Sequence, residues 1–191
     1  MAYPIFRTSE RNKSFSLYMG EKKLVMHHGD VATLEADVLV CPVDQNLDYR
    51  SGVAKAISSA AGKELKIHRP IVPEPLGKVV VLPGGNMKVK YVFMTVLLGE
   101  KEPAKMKIAI REAINRTIRY AEFLRLKSIA FPVLGNPRVA PPYNMIAKEM
   151  LEDITKYFQR RNTKIKLILF SVFNADAYAA FCKEARLLAD L

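Results

Sequence analysis

Tryptophan is absent from this chain of 191 residues, which also has only two cysteines and three histidines. Two cysteines cannot build a disulfide framework, and neither Cys41 nor Cys182 stands in a CxxC or histidine-rich segment that would suggest a metal. We therefore expect two reduced thiols that pack as small core residues, and neither a metal site nor a cofactor.

Long apolar runs are missing as well. The segment 166–173, KLILFSVF, has the length of a strand and is far short of the roughly 20 residues that a membrane helix needs. Residues 1–15 lack the apolar region and small residues of a secretory signal. We therefore expect no membrane span and a cytoplasmic location.

The two common nucleotide-binding fingerprints, the Walker A lysine motif and GxGxxG, do not occur. Positive charge is abundant instead, with 30 Lys and Arg against 19 Asp and Glu and a net charge of +11. Such a chain concentrates anions around it, which favours phosphate-bearing partners, including RNA bound through a basic surface. An ordinary solvated, lysine-rich surface is the alternative, and no recognised nucleic-acid motif is present.

Short apolar runs alternate with amphipathic stretches, which predicts one α/β domain with a largely parallel sheet covered on both faces. Residues 36–40 are almost continuously apolar and predict a strand buried on both faces, whereas residues 105–124 have the apolar spacing of a long amphipathic helix. Residues 14–18 alternate like a strand. We predict an N-terminal arm or edge strand over residues 1–20 and the main domain over residues 21–191.

Two polar loops follow predicted strands and lead into predicted helices, at residues 44–52 and 135–142. Parallel sheets bind ligands at the carboxyl ends of their strands, and the free N–H groups of a helix start favour an anion. We therefore predict that the two loops hold phosphate groups. Ordinary connections without a ligand are the alternative.

Several segments resemble the macro domain family. Residues 29–44 begin with Gly-Asp, continue as a strand, and end in Cys-Pro-Val-Asp where the family has Asn-Ala-Ala-Asn. Residues 52–57, GVAKAI, are similar to the start of the family's first helix, and residues 127–132, KSIAFP, are almost identical to a family strand. The resemblance extends from about residue 24 to the end. It implies a three-layer α/β/α macro-domain-like fold with a mixed, largely parallel central sheet, in a family that binds ADP-ribose and related nucleotides.

The resemblance also implies a set of ligand-binding residues. Asp30, followed by Val31, corresponds to the aspartate that accepts a hydrogen bond from the adenine amino group, and Phe173, followed by Asn174, to an aromatic residue that stacks on adenine. A turn-forming Asp30 and a core Phe173 are the alternatives. The other implied residues lie in the two loops and the first helix start: Asp44, Arg50, Ser51, Gly52, Val53, Ala54, Gly135, Asn136 and Arg138.

The chain departs from the family inside these loops. Asp44 replaces an asparagine that contacts the distal ribose and adds negative charge, which Arg50 would screen. Arg50 and Ser51 also replace two glycines of the kind used where a backbone approaches a ligand closely. In the second loop Pro137 lacks an N–H, and Arg138 supplies charge through its side chain instead.

Two further departures concern chemistry, because some family members remove ADP-ribose from proteins or hydrolyse related esters. Ala54 stands where such members often carry an aspartate, and Met94 replaces a strand histidine. The three histidines, at positions 27, 28 and 68, are expected to be surface or packing residues away from the site.

Three functions therefore stay open. The first is a module that binds ADP-ribose or a related nucleotide without chemistry. The second is a hydrolase of ADP-ribosyl or phosphoester bonds in which Asp44 or Asp48 acts as base. The third is a basic RNA-binding or protein-interaction module whose pocket has degenerated. The oligomeric state is open too.

Overall fold

The computed structural model describes residues 6–11, 14–50, 52–67, 71–97, 102–135, 142–160 and 162–190. The strands are β1 (Phe6–Arg11), β2 (Ser14–Met19), β3 (Lys22–His27), β4 (Ala36–Val43), β5 (Val79–Pro83), β6 (Val89–Val96), β7 (Ser128–Pro132) and β8 (Leu167–Ser171). The helices are α1 (Gly52–Ala61), α2 (Pro103–Phe123), α3 (Tyr143–Arg160) and α4 (Ala175–Ala189), with short 3₁₀ turns at Val31–Thr33 and Glu64–Ile67.

These strands form one sheet in the order β1-β2-β3-β8-β7-β4-β6-β5. The five central strands, from β3 to β6, are parallel, and β1, β2 and β5 are added antiparallel at the sides. The predicted α/β fold with a mixed, largely parallel sheet is confirmed. We call the edge where the parallel strands end the carboxyl edge and the edge where they begin the amino edge.

The sheet is covered on both faces by helices. Strand β4 shows this best, because Val38 and Val40 pack with α2, α3 and α4, whereas Leu39 and Cys41 pack with α1 on the other face. All four side chains are fully buried. The predicted strand with two buried faces is therefore present, and it extends beyond residue 40 to Val43.

Strands β4 and β7 are parallel neighbours in the sheet, but the helices that follow them lie on opposite faces. Strand β4 leads into α1 on one face, and β7 leads into α3 on the other. Such a switch point opens a crevice at the carboxyl ends of the two strands, and ligands bind there in open α/β sheets. The described part of the loop after β4 and the end of β7, where the second predicted phosphate loop begins, border this crevice.

Strands β1 and β2 extend the sheet beyond β3. Strand β2 contains the segment 14–18 whose alternation predicts a strand, but Phe15, Ser16 and Leu17 are buried in succession. Helix α4 contacts both strands and covers one face of this ribbon. The boundary at residue 20 stays a prediction. None of the helices in the described ranges is both long enough and apolar enough to cross a membrane.

Helix α2 ends in a Schellman motif. The N–H of Leu126 donates to the carbonyl of Ala121 and the N–H of Arg125 to that of Glu122, both at 2.9 Å. The motif puts Arg125 in the left-handed region, with φ of 55°. Glycine is the usual residue there, and a residue with a side chain costs about 1 kcal/mol or more in that conformation.

Asp37 joins the starts of β4, β7 and β6 at the amino edge. Its carboxylate accepts from the backbone N–H groups of Lys127 (2.6 Å) and Ser128 (3.2 Å) and pairs with Lys90 at 2.8 Å. Burial raises the pKa of Asp37, but the hydrogen bonds and the charge of Lys90 outweigh it and hold that pKa below its ordinary value. The carboxylate is thus a structural clamp.

Candidate functional site at the carboxyl edge

Three strand ends lie level at the carboxyl edge. His27 of β3 pairs in register with Ser171 of β8, which pairs in turn with Pro132 of β7. The residues that follow these strands therefore share one edge with the loop after β4. The predicted site residues that the structure describes all lie on these loops and helix starts: Asp30, Val31, Asp44, Arg50, Gly52, Val53, Ala54, Gly135, Phe173 and Asn174. Ser51, Asn136 and Arg138 lie outside the described residues.

Three hydrogen bonds join the loops after β3 and β8. The N–H of Val172 donates to the carbonyl of His27 at 2.8 Å, the hydroxyl of Ser171 donates to the carbonyl of Gly29 at 2.7 Å, and Nε2 of His28 lies 3.1 Å from the carbonyl oxygen of Phe173. These bonds fix the backbones that carry Asp30 and Phe173 relative to each other. This half of the site is held in place before any ligand binds.

Phe173 projects into solvent, and 82% of the residue's surface is exposed. A core role for Phe173 is therefore wrong. Its neighbour Asn174 caps α4, because the side-chain oxygen accepts from the N–H of Ala177 at 3.0 Å. The aromatic ring thus stands on a rigid support, between a hydrogen-bonded strand end and a capped helix.

Asp30 begins the 3₁₀ turn at Val31–Thr33. One carboxylate oxygen accepts from the N–H of Ala32 at 2.9 Å, while the carbonyl of Asp30 accepts from the hydroxyl of Thr33 at 2.7 Å. The residue is exposed. The turn-forming role is therefore real, and it uses one of the two carboxylate oxygens. Val31 is buried, so only its backbone faces the edge.

The loop after β4 is braced by Asp44. A single carboxylate oxygen accepts from the backbone N–H groups of Asn46 (3.0 Å) and Asp48 (2.8 Å). Leu47 between them is fully buried and has a φ of 54°, an uncommon conformation for leucine that the surrounding hydrogen bonds maintain. Asp44 therefore orders the loop.

Arg50 forms an ion pair with Asp48. Its Nε and Nη2 donate to the two carboxylate oxygens at 2.8 and 2.9 Å, and its backbone N–H donates to Asp48 at 2.9 Å. The hydrogen bond and charge of Asp48 raise the pKa of Arg50, with a smaller contribution from Asp44. The charge of Arg50 thus interacts with Asp44, as expected, but its hydrogen bonds go to the nearer carboxylate of Asp48.

Two helix N-termini face the crevice without neutralising charges. Neither α1 nor α3 has an acidic residue in its first turn. The free N–H groups and helix dipoles at these ends attract anions. Gly52 starts α1 with a φ of 56°, and a Cβ there would meet no atom within 4 Å. The backbone at this helix start is thus open to a ligand. Val53 is partly exposed and Ala54 is buried.

Gly135 is the first residue of the second predicted loop. It is buried and has a φ of 112°, a conformation that essentially requires glycine. The chain is therefore held close to the end of β7 at this point, beside the crevice.

Cys41 lies near the end of β4 but is fully buried, and burial raises the pKa of its thiol to about 12. The thiol is therefore protonated and inaccessible, as expected for a core residue. Cys182 is buried in α4.

His28 is a site residue that the sequence analysis missed. Besides its contact with the Phe173 carbonyl, its ring stacks on Tyr178 of α4 with the centroids 5.1 Å apart. The expectation that His28 lies away from the site is wrong. The only feature of the sequence that pointed to His28 was its position two residues before Asp30. Its contact with Phe173 depends on the pairing of β3 with β8, which the sequence did not reveal. His27 lies 3.0 Å from the hydroxyl of Ser14, and His68 is outside the described residues.

This arrangement is that of an open α/β/α domain with a switch point, where ligands bind in such sheets at the carboxyl ends of the strands. The family model of the Macro domain matches residues 40–150. An uncharacterized protein of Sulfurisphaera tokodaii is 32% identical over 161 residues, which cover 80% of this chain and 85% of that relative. The chain therefore belongs to the macro domain family.

Solved macrodomains have the same fold. An Oceanobacillus iheyensis macrodomain mutant with ADPR aligns with a TM-score of 0.81 and 19% identity, covering 93% of this chain and 100% of that one. The Oceanobacillus iheyensis macrodomain with ADP also has a TM-score of 0.81 and 19% identity, covering 97% of this chain and 98% of that one. At these identities the likeness concerns the fold.

Proposed function

We propose that this protein is a binding module for ADP-ribose or a closely related nucleotide. The adenine lies between Asp30 and Phe173, and the diphosphate lies in the crevice between the starts of α1 and α3. The solved macrodomains with ADPR and ADP support the ligand class. The positions of Asp30, Phe173 and the two helix starts support this placement of the adenine and the diphosphate.

The observation that carries the proposal is the exposed ring of Phe173. Exposing a phenylalanine costs free energy that folding does not recover, and here three hydrogen bonds hold the adjoining loops in one arrangement. A planar base that stacks on the ring would bury it. Asp30, fixed to the same pair of strands, offers a carboxylate acceptor to an exocyclic amino group.

We propose that the protein binds the nucleotide without catalysing a reaction on it. Ala54 is buried and cannot activate water, Met94 is buried, and the Cys41 thiol has a pKa of about 12. The carboxylate of Asp44 is engaged by two backbone N–H groups. Calorimetric titration with ADP-ribose tests the proposal, and an absence of binding at millimolar ligand would contradict it.

Phe173→Ser should weaken ADP-ribose binding about tenfold or more, because stacking of a base on an aromatic ring contributes about 1–3 kcal/mol. The melting temperature should change little, since the ring is exposed. Titration calorimetry and thermal unfolding measure the two effects. Phe123→Ser is the matched control, because Phe123 is 83% exposed at the opposite edge of the sheet. Equal affinities of the two variants would place adenine elsewhere.

Asp48→Asn should strengthen ADP-ribose binding several-fold. Asparagine can still accept from the N–H of Arg50, but it no longer neutralises a guanidinium that would otherwise attract the diphosphate. The gain should shrink as salt is raised, because the side chains are partly exposed. Glu35→Gln removes the same charge at the amino edge and serves as the control. A weaker or unchanged affinity would mean that the ion pair serves only to order the loop.

A further inference from the structure

The amino edge carries a concentration of positive charge that the proposed nucleotide site does not use. The three segments that lead into β3, β8 and β7 are residues 20–23, 162–166 and 122–127. They contain six basic residues and two acidic ones, Glu21 and Glu122. We call the six basic residues the basic edge: Lys22, Lys23, Arg125, Lys127, Lys164 and Lys166.

Backbone pairing brings the basic edge together. The N–H of Lys23 donates to the carbonyl of Lys166, and the N–H of Lys166 donates to the carbonyl of Lys127, both at 2.8 Å. Adjacent strands are about 4.8 Å apart, so the three strand starts lie within about 10 Å. This is the arrangement in which several phosphates of one strand meet several ammonium groups.

The two acidic residues leave most of this charge uncompensated. Glu122 accepts from the hydroxyls of Tyr157 and Thr163, and Glu21 forms an ion pair with Lys166 at 3.0 Å. Within the described part of the chain, the ammonium groups of Lys127 and Lys164 form no ion pair. Burial, and then the charge of Lys166, lower the pKa of Lys22, whereas Glu122 raises it; the ammonium group of Lys22 also donates to the carbonyl of Phe158.

Two features at the end of α2 add to the charge. Phe123 is 83% exposed and lies at the start of the segment that leads into β7. Two residues later Arg125 occupies the left-handed position where glycine is usual. Neither residue is explained by the stability of the fold. Aromatic rings and basic side chains on one surface are what proteins use to bind single strands without sequence preference.

We propose that the basic edge and Phe123 form a binding surface for single-stranded nucleic acid, separate from the nucleotide site at the carboxyl edge. Lys127, Lys164 and Arg125 contact phosphates, and Phe123 stacks on a base. The side chains of Lys22, Lys23 and Lys166 already contact Phe158, Tyr18 and Glu21 and add positive charge nearby. Binding is independent of sequence, since phosphates and base faces are common to all nucleotides.

The test is fluorescence anisotropy of the full chain with labelled oligouridylate RNA and oligothymidylate DNA of about 12 nucleotides. The double variant Lys127→Gln, Lys164→Gln should bind about tenfold more weakly at low salt. Its salt slope should be smaller by about 1.4, or about 0.7 for each lost phosphate contact. The double variant Lys63→Gln, Lys183→Gln removes two exposed lysines elsewhere and should match the wild type. An equal loss in both pairs would overturn the proposal.

Phe123→Ser should weaken oligonucleotide binding and leave ADP-ribose binding unchanged, the reverse of Phe173→Ser. Saturating ADP-ribose should not displace the oligonucleotide. Displacement would place the oligonucleotide in the carboxyl-edge crevice and overturn the proposal. Polyglutamate should compete poorly; competition equal to that of the oligonucleotide would mean that the surface fits an acidic protein instead. The ratio of the RNA and DNA affinities shows which of the two nucleic acids the surface prefers.

Arg125→Gly separates binding from folding. Glycine suits the left-handed conformation, so the melting temperature should stay the same or rise, while oligonucleotide affinity should fall several-fold. A lower melting temperature with unchanged affinity would show that Arg125 is retained for the fold and would contradict its role in the surface.

Discussion

Asp30→Asn should reduce the affinity for ADP-ribose by about 10- to 100-fold while leaving the melting temperature nearly unchanged. Asparagine keeps a side-chain oxygen that can accept from the N–H of Ala32, so the cap of the 3₁₀ turn survives. It replaces the second carboxylate oxygen by an amide donor, which meets the adenine amino group as donor against donor. Loss of a charge-assisted hydrogen bond costs about 1.5–3 kcal/mol.

Asp30→Ala supplies the contrast. Alanine removes the cap as well as the acceptor, so the free energy of unfolding should fall by about 1 kcal/mol in addition to the loss of affinity. Calorimetric titration and urea unfolding of both variants measure the two quantities. If Asp30→Asn binds as tightly as the wild type, Asp30 is a turn residue alone and adenine is recognised by other groups.

Asp37→Ala should lower the free energy of unfolding by about 2–4 kcal/mol at neutral pH. The substitution removes an acceptor shared by two backbone N–H groups and leaves Lys90 without its partner, so three neighbouring strands lose a common clamp. Urea unfolding measures the change. Glu35→Ala, which removes the exposed carboxylate paired with Lys88 at the same edge, should cost less than about 1 kcal/mol.

The contribution of Asp37 to the free energy of unfolding should decrease as the pH is lowered. Its pKa is lower in the folded protein than the ordinary value of 3.8, so the carboxylate contributes stability fully above about pH 5. That contribution is lost as the pH falls through the folded-state pKa. The difference between wild type and Asp37→Ala should therefore shrink towards pH 3. A difference that is constant from pH 7 to pH 3 would mean that packing, not the charge, is responsible.

Much of the fold could be predicted from local patterns. Residues 36–40 are a nearly continuous apolar strand, and the apolar spacing of residues 105–124 is that of a helix; both are present as β4 and α2. The order of such elements predicted a largely parallel α/β sheet, and the resemblance to the macro domain family implied that the sheet is mixed. Strand β1 was not predicted as a separate element, because FRTSER lacks an apolar run and becomes a strand only through pairing with β2.

Less of the site could be predicted, because its contacts depend on side-chain geometry between distant segments. The proximity of Arg50 to two carboxylates was evident in the sequence, but which one it pairs with depends on how Asp44 turns the loop. His28 and Phe173 are 145 residues apart and meet only because β3 lies beside β8. No periodicity in a single sequence carries that information.

Because the parallel strands run from the amino edge to the carboxyl edge, the two proposed binding surfaces lie at opposite ends of the sheet. Strands rise about 3.3 Å per residue, so Lys166 before β8 and Phe173 after it are separated by roughly 20 Å, more than two Debye lengths at physiological salt. Occupancy at one end of the sheet therefore leaves the other end free. A single partner that carried both ADP-ribose and a nearby single strand would engage the two ends together, and its second contact would form at a high effective concentration. Such a partner would be retained far longer than either ligand alone, so the protein would respond to the coincidence of the two.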